Sequence, residues 1–472
     1  MTFTTSTFII FLAIVYLSYW RLERPAQNVL LLVASLVFYG WWDWRFLSLL
    51  LLTAGVDYAV ALGLAGARRP TVRRALLLAS LSANLGVLAA FKYFGFFLDS
   101  FAALCRSFGW SAESPVLQIV LPVGISFYTF QALSYTIDVY RGRIAPVRDL
   151  VQYLCFITFF PQLVAGPIER AERLLPQFGL DRRFDAEKSV DGLRQMLWGF
   201  FKKMVVADGL APFVNTVYSG VAAASEWELV WATYGFAFQI YCDFSGYSDI
   251  AIGCARLFGF ELMQNFDRPY FSTSIPEFWK RWHISLSTWF RDYLYVPLGG
   301  NRVGARRWAF NVIAVFGLSG LWHGASWTFV VWGLLHGTYY LASVRSRRGL
   351  DRGPTAPSRT GFRELAGIAV TFNLVCLAWV FFRANSMGDA LLVLRGIAGA
   401  LASGSLEAPP VPGPFLWAAA LCVGEWLQAR EPHVLHVPEM GRPLRWAIYY
   451  GVLVSILFFA NLDYTPFIYF QF

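Results

Sequence analysis

Long apolar stretches separated by short basic or aromatic joints make up most of this chain. Apolar runs fall near 6–20, 28–42, 46–66, 75–98, 117–137, 150–166, 228–258, 308–344, 365–382, 414–427 and 444–461. About 18 or more nearly uncharged residues in succession suffice to span a bilayer as a helix. The pattern therefore predicts an all-α, polytopic integral membrane protein of roughly ten to twelve transmembrane or re-entrant helices. No internal repeat is visible, and the expected organisation is one integrated domain over 1–472. Loose linkers rich in Gly, Pro, Ser or Ala are confined to 349–360 and 403–414.

Two stretches depart from the spanning pattern. Over 185–206, Lys188, Arg194, Lys202 and Lys203 interleave with Leu193, Met196, Leu197, Phe200 and Phe201, which predicts an amphipathic helix at the cytoplasmic face. Over 274–296, Ser274-Ile-Pro-Glu277 reads as a capping box. Trp279, Trp282, Leu286, Trp289, Phe290 and Tyr293 then fall within about 100° of a helical wheel, with His283 at the border of that stripe. This predicts an amphipathic or re-entrant helix rather than a span.

Composition agrees with the membrane class. The chain is 57% hydrophobic and 15% charged, where a soluble domain carries roughly 25% charged residues. Its net charge of +9 sits in short loops and orients the helices. Arg21 and Arg24, then Arg68, Arg69, Arg73 and Arg74, then Arg141 and Arg143 mark the inner side, as does 345–363. The Trp41–Arg45 aromatic belt and 99–115 fall outside, and the count leaves both termini on the outer, periplasmic face. No basic stripe lies beyond the membrane-flanking loops, so nucleic-acid binding is excluded. Cys105, Cys155, Cys242, Cys254, Cys376 and Cys422 are scattered without metal-ligand spacing, and no metal site is expected.

Against this background a histidine stands out. Between Trp308 and His336 the only ionisable side chain is His323. An ionisable group at such depth is a functional-site hypothesis by default, and imidazole titrates near neutrality. Gly317, Gly320 and Gly324 around it permit close helix approach or a helix break. A histidine hydrogen-bonded to a neighbouring helix remains the alternative. On a straight helix His336 would point elsewhere, and His433 and His436 sit in a Pro-bounded loop expected to be solvated. Asp243, Ser245, Ser248 and Asp249 form a polar island in an apolar run, which must face a cavity or polar partners rather than lipid.

The stretch Arg268-Pro-Tyr-Phe-Ser-Thr-Ser-Ile-Pro-Glu-Phe-Trp-Lys-Arg-Trp-His283-Ile-Ser-Leu-Ser-Thr-Trp-Phe-Arg-Asp-Tyr-Leu-Tyr-Val-Pro-Leu-Gly-Gly300, followed by Leu321-Trp-His323-Gly324, resembles the membrane-bound O-acyltransferase family. Within it, the likeness is to the bacterial branch typified by the membrane subunit of alginate O-acetylation. Leu121-Pro-Val-Gly-Ile-Ser-Phe-Tyr-Thr-Phe-Gln131, Phe160-Pro-Gln-Leu-Val-Ala-Gly-Pro-Ile168 and Tyr241-Cys-Asp-Phe-Ser-Gly-Tyr-Ser-Asp249 support it. It covers most of 1–345 and weakens beyond 365.

The resemblance implies helices arranged around a central tunnel, with His323 as catalytic base and His283 beside it. It implies acetyl-CoA as cytoplasmic donor, with no bound cofactor, and O-acetylation of an exopolysaccharide such as alginate at a bacterial inner membrane. Trp322, Trp279, Trp282, Arg291, Asp243 and Ser245 become candidates for tunnel lining or substrate binding. No Ser-His-Asp constellation is visible, so the expected partner is a periplasmic SGNH-hydrolase-like acetyltransferase or another accessory acetylation protein, beside membrane lipid and the polysaccharide acceptor. The tail 462–472, with Pro466-Phe-Ile-Tyr469-Phe-Gln-Phe472, resembles that of the small partner protein in teichoic-acid D-alanylation, which makes Tyr469 a possible acyl carrier; an interfacial anchor is the other reading. The alternatives are D-alanyl or other acyl transfer to teichoic acid or another glycan, and a proton-coupled secondary transporter using the polar island and His323.

Overall fold

Helix starts coincide with the caps the sequence supplies. Thr5 and Asp149 accept the backbone N–H groups that open Ser6–Tyr19 and Leu150–Thr158. Prolines occupy the first turn of Arg24–Asp43, Pro70–Leu88, Pro412–Leu427 and Arg442–Phe459, where a missing N–H costs nothing. The computed structural model describes residues 1–111, 120–347, 361–461 and 466–468, and these contain helices and turns without a strand. The all-α expectation holds. Arg45–Gly66, the continuous Pro70–Ser107 and Phe362–Arg383 are each long and apolar enough to cross a bilayer by length and composition. The 349–360 linker lies outside the described residues.

The described residues cluster into two compact units. The first comprises Met1–Gly192 with Cys254–Met263. Within it Asp57, fully buried on Arg45–Gly66, accepts hydrogen bonds from Ser80, from Asn84 at 2.8 Å and from Thr136 at 2.9 Å. These donors come from two other helices, so one satisfied carboxylate fixes three helices at depth without leaving a polar group exposed to lipid.

The second unit comprises Leu193–Gly253 and Gln264–Phe472 and carries every histidine of the chain. Here the 308–344 run resolves into two helices, Ala305–His323 and Trp327–Arg347, rather than one span. The premise that placed His336 away from His323 on a single straight helix is therefore corrected. The helices return antiparallel with their backbones in contact. A Cβ on Gly320 would lie 2.2 Å from the Phe329 carbonyl oxygen, and one on Gly333 would lie 2.2 Å from that of Phe316. Glycine is required at both positions, as expected where helices pack without a side-chain layer.

The 274–296 stretch is also not one helix. Ile275–Arg281 and Ile284–Phe290 are separate, followed by a wider turn over Arg291–Tyr295. Ser274 does accept the Glu277 N–H at 3.4 Å, but Glu277 reaches back to Thr273 rather than closing the box on Ser274. The break lies at His283, whose backbone is left-handed at φ 42° and ψ 57°. A helical wheel assumes continuity and cannot register such a residue.

Candidate functional site

His323 is the last residue of Ala305–His323 and His283 the residue before Ile284–Phe290, so both stand at helix ends rather than within a helical face. Their rings lie 6.3 Å apart between centroids. Both are buried, His283 completely. Trp322, Trp332 and Phe382 meet His323 edge-on at 4.9, 5.0 and 5.4 Å. Phe244 meets His283 at 4.6 Å and Trp322 lies 6.0 Å from it. The result is two imidazoles in an aromatic enclosure that shields both rings from bulk water. A non-glycine residue in the left-handed region costs on the order of 1–3 kcal/mol, and such strain concentrates at functional sites.

His283 is braced from behind by Asn265, a residue the sequence did not single out. The Asn265 carbonyl accepts the Ile284 N–H at 2.9 Å, and its side-chain oxygen accepts the Ser285 hydroxyl at 2.6 Å. Its amide donates to Ser248 at 3.2 Å, which ties this brace to the polar island. His336 was set aside on the straight-helix argument, yet its ring lies 5.0 Å from Trp332, the same distance as His323. Trp279 donates its indole N–H to Nδ1 of His336 at 3.3 Å. Trp279 therefore serves His336 rather than the histidine pair. Trp282 is fully buried and packs on Trp379 at 5.1 Å and Phe266 at 5.1 Å. Arg291 is not brought to the pair: its side chain is 60% exposed and joins the adjacent Asp292 at 2.8 Å.

Asp243, Ser245 and Ser248 of the polar island are buried and Asp249 is partly buried, and both carboxylates pair with lysines. Lys203 bridges Asp243 at 2.6 Å and Asp208 at 2.7 Å, while Lys202 pairs with Asp249 at 2.5 Å. Gln195 also donates to Asp249, at 2.9 Å. The reading of Lys202 and Lys203 as surface residues of an amphipathic helix is therefore corrected. Both are buried, because a buried carboxylate needs a counter-charge. Ser245 is buried and lines a narrow cavity of about 40 Å³ together with Lys202, Tyr241, Asp249, Arg268 and Glu425. Tyr241 donates to Glu425 there at 2.5 Å.

His433 also lines this cavity and is buried, against the expectation of a solvated loop. Arg268 explains it, donating to the carbonyls of Gln428 at 2.8 Å and Glu431 at 3.3 Å and so pinning that loop down.

Tyr469 and most of the 462–472 tail lie outside the described residues. The tail residues just before Tyr469 are described. Phe467 and Ile468 are buried, with Phe467 5.0 Å from Tyr247 and 5.6 Å from Phe244. The Ile468 N–H donates to Asp243 at 2.7 Å.

Sequence comparison accounts for this arrangement. The sequence model of the membrane-bound O-acyltransferase family matches residues 143–387, which include both histidines of the pair and His336. A protein of Azotobacter vinelandii named as a probable alginate O-acetylase is 42% identical over 396 residues, covering 83% of this chain and 76% of that protein. A peptidoglycan O-acetyltransferase of Helicobacter pylori is 36% identical over 431 residues, covering 84% and 80%. A teichoic acid D-alanyltransferase of Bacillus subtilis is 27% identical over 278 residues, covering 57% and 70%. Relatedness over this length removes the transporter alternative. With its paired histidines in an aromatic enclosure, this multi-pass membrane chain belongs to the membrane-bound O-acyltransferase family.

Proposed function

We propose that this acyltransferase takes acetyl from acetyl-CoA at the cytoplasmic face of a bacterial inner membrane and passes it outward for O-acetylation of an exopolysaccharide, with alginate the leading candidate. The observation that carries this reading is the His283–His323 pair at 6.3 Å, in a chain 42% identical to a probable alginate O-acetylase. His323 takes the proton from an acceptor hydroxyl as that oxygen attacks the thioester carbonyl. The new C–O bond forms, the C–S bond breaks, and the CoA thiolate leaves with the proton returned from the imidazolium. His283 orients the reacting groups beside it, and a tunnel leads from the donor to the outer face. Exposed Arg302, Arg306 and Arg307 supply positive charge for the polyanionic donor.

The first acceptor in this proposal is Tyr469; a tyrosine phenol ordinarily ionises at about 10, well below a sugar hydroxyl. The resulting ester is then relayed to sugar hydroxyls by a periplasmic SGNH-hydrolase-like partner, and both chain termini face that compartment. The burial of Phe467 and Ile468 near the histidine pair supports the tail's involvement.

The experiment compares the O-acetyl content of exopolysaccharide from cells carrying the wild-type chain or His323→Ala, with purified protein assayed on acetyl-CoA and on a D-alanyl thioester. Loss of polysaccharide acetyl with selective acetyl-CoA turnover is expected. Unchanged acetyl content, or turnover of the D-alanyl donor alone, overturns the reading.

A further inference from the structure

We propose that Asp243, held by Lys203, is the positioning residue that seats the C-terminal tail beside His283. A tail segment gains conformational freedom by leaving the protein, so one that is seated, as 466–468 is, must be held by specific contacts. Two kinds of contact hold this one. One is apolar: Phe467 is 3% exposed and packs on Tyr247 and Phe244. The other is polar and charge-assisted: the Ile468 N–H donates to Oδ2 of Asp243 at 2.7 Å.

The cluster around Asp243 explains why a backbone N–H is wanted there. Oδ1 of Asp243 meets Lys203 at 2.6 Å, and the same ammonium meets Asp208 at 2.7 Å. One ammonium thus serves two buried carboxylates, and the tail amide supplies Asp243 with a further donor at its other oxygen. A tail that left would strip a hydrogen bond from a buried carboxylate, a penalty that favours the docked state. The chain leading to the tail is fixed to the same cluster. Asn461 donates its backbone N–H to the Met204 carbonyl at 3.0 Å and its side-chain amide to the Asp208 carbonyl at 3.1 Å.

The seat is also placed with respect to the reaction. Phe244 is shared by Phe467 at 5.6 Å and by His283 at 4.6 Å. One aromatic ring therefore separates the docked tail from the histidine pair. Asp243 acts through this placement without itself touching the acyl group.

The functional consequence of the seat rests on the proposed use of the tail in transfer, whereas the seating itself is read separately. The test is hydrogen–deuterium exchange of the C-terminal peptide in the full-length protein in lipid nanodiscs, run beside an acetyl-transfer assay. Asp243→Ala should speed exchange of the tail amides by roughly tenfold or more. Asp243→Asn keeps an acceptor oxygen and should stay closer to wild type in both exchange and transfer. Tail exchange in Asp243→Ala equal to wild type overturns the proposal. If that variant does not fold, Ile468→Pro removes the donor together with the Ile468 side chain and leaves the carboxylate cluster intact, with Ile468→Ala as the control for the lost side chain. Faster exchange of the amides after residue 468 then supports the seat, and unchanged exchange overturns it. Tyr469→Phe should exchange as wild type; normal acetyl transfer by it would discard Tyr469 as carrier while leaving the seat in place.

Discussion

Phe244 holds its ring edge-on to His283 at 4.6 Å. Phe244→Ala should therefore lower acetyl transfer through a misplaced imidazole and a loosened tail together. Its cavity should also cost about 3–5 kcal/mol of stability. Phe244→Leu, closer in volume, should recover most of the stability but not the transfer rate, measured as thermal midpoint and turnover in parallel.

His323→Ala should reduce transfer by about 10²–10⁴-fold, the usual contribution of a positioned base. The variant should still fold and insert, with a lowered thermal midpoint from the cavity left among Trp322, Trp332 and Phe382. Transfer within a few-fold of wild type, in protein shown to be inserted, would remove His323 from the mechanism.

The left-handed backbone at His283 separates chemical from structural loss. Asparagine tolerates that conformation, so His283→Asn should unfold near the wild-type midpoint yet transfer poorly. A β-branched residue cannot adopt it without strain, so His283→Val should lose about 1–3 kcal/mol as well. Equal stability of the two variants would contradict the backbone assignment.

Lys202 and Arg302 should part company on mutation. Lys202→Met removes the ammonium from a partly buried Asp249, which keeps its Gln195 donor, and should destabilise by about 1–3 kcal/mol. Neutralising exposed Arg302, Arg306 and Arg307 together should leave the thermal midpoint unchanged and raise the apparent KM for acetyl-CoA. An unchanged KM in folded, inserted protein would place donor recognition elsewhere.

Gly320→Ala should cost about 1–3 kcal/mol by forcing a Cβ onto the Phe329 carbonyl, and should lower transfer because that hairpin carries His323. Gly451→Ala, with nothing within 4 Å of its added Cβ, is the matched control and should unfold no earlier than wild type.

What the sequence made legible were ionisable groups at an unexpected depth. His323 and the Asp243–Asp249 island announce themselves because a charge or imidazole in an apolar run needs a reason. Their partners were not legible. Lys202 and Lys203 look like surface residues on a wheel, and only the folded chain brings Asp249, Asp243 and Asp208 to them. Asn265 carries no sequence signal for the brace it makes, since that brace depends on backbone geometry at Ile284 and Ser285. The breaks after His323 and at His283 were hidden for a related reason. Periodicity averages over a run, whereas a single left-handed residue or one Gly-Ala-Ser connection redirects the chain.

His323 ends its helix, and that position bears on the proposed proton transfer. The last carbonyls of a helix have no further turn to bond, and together they carry roughly half a negative charge. The Gly324 N–H reaches back to the Gly320 carbonyl at 3.3 Å and closes the helix just after His323. A base that accepts a proton in an aromatic enclosure becomes a cation with little water to solvate it. If His323 accepts the proton as proposed, its place in the last turn sets that charge at the negative end of a helix dipole fixed before substrate arrives, which favours the imidazolium.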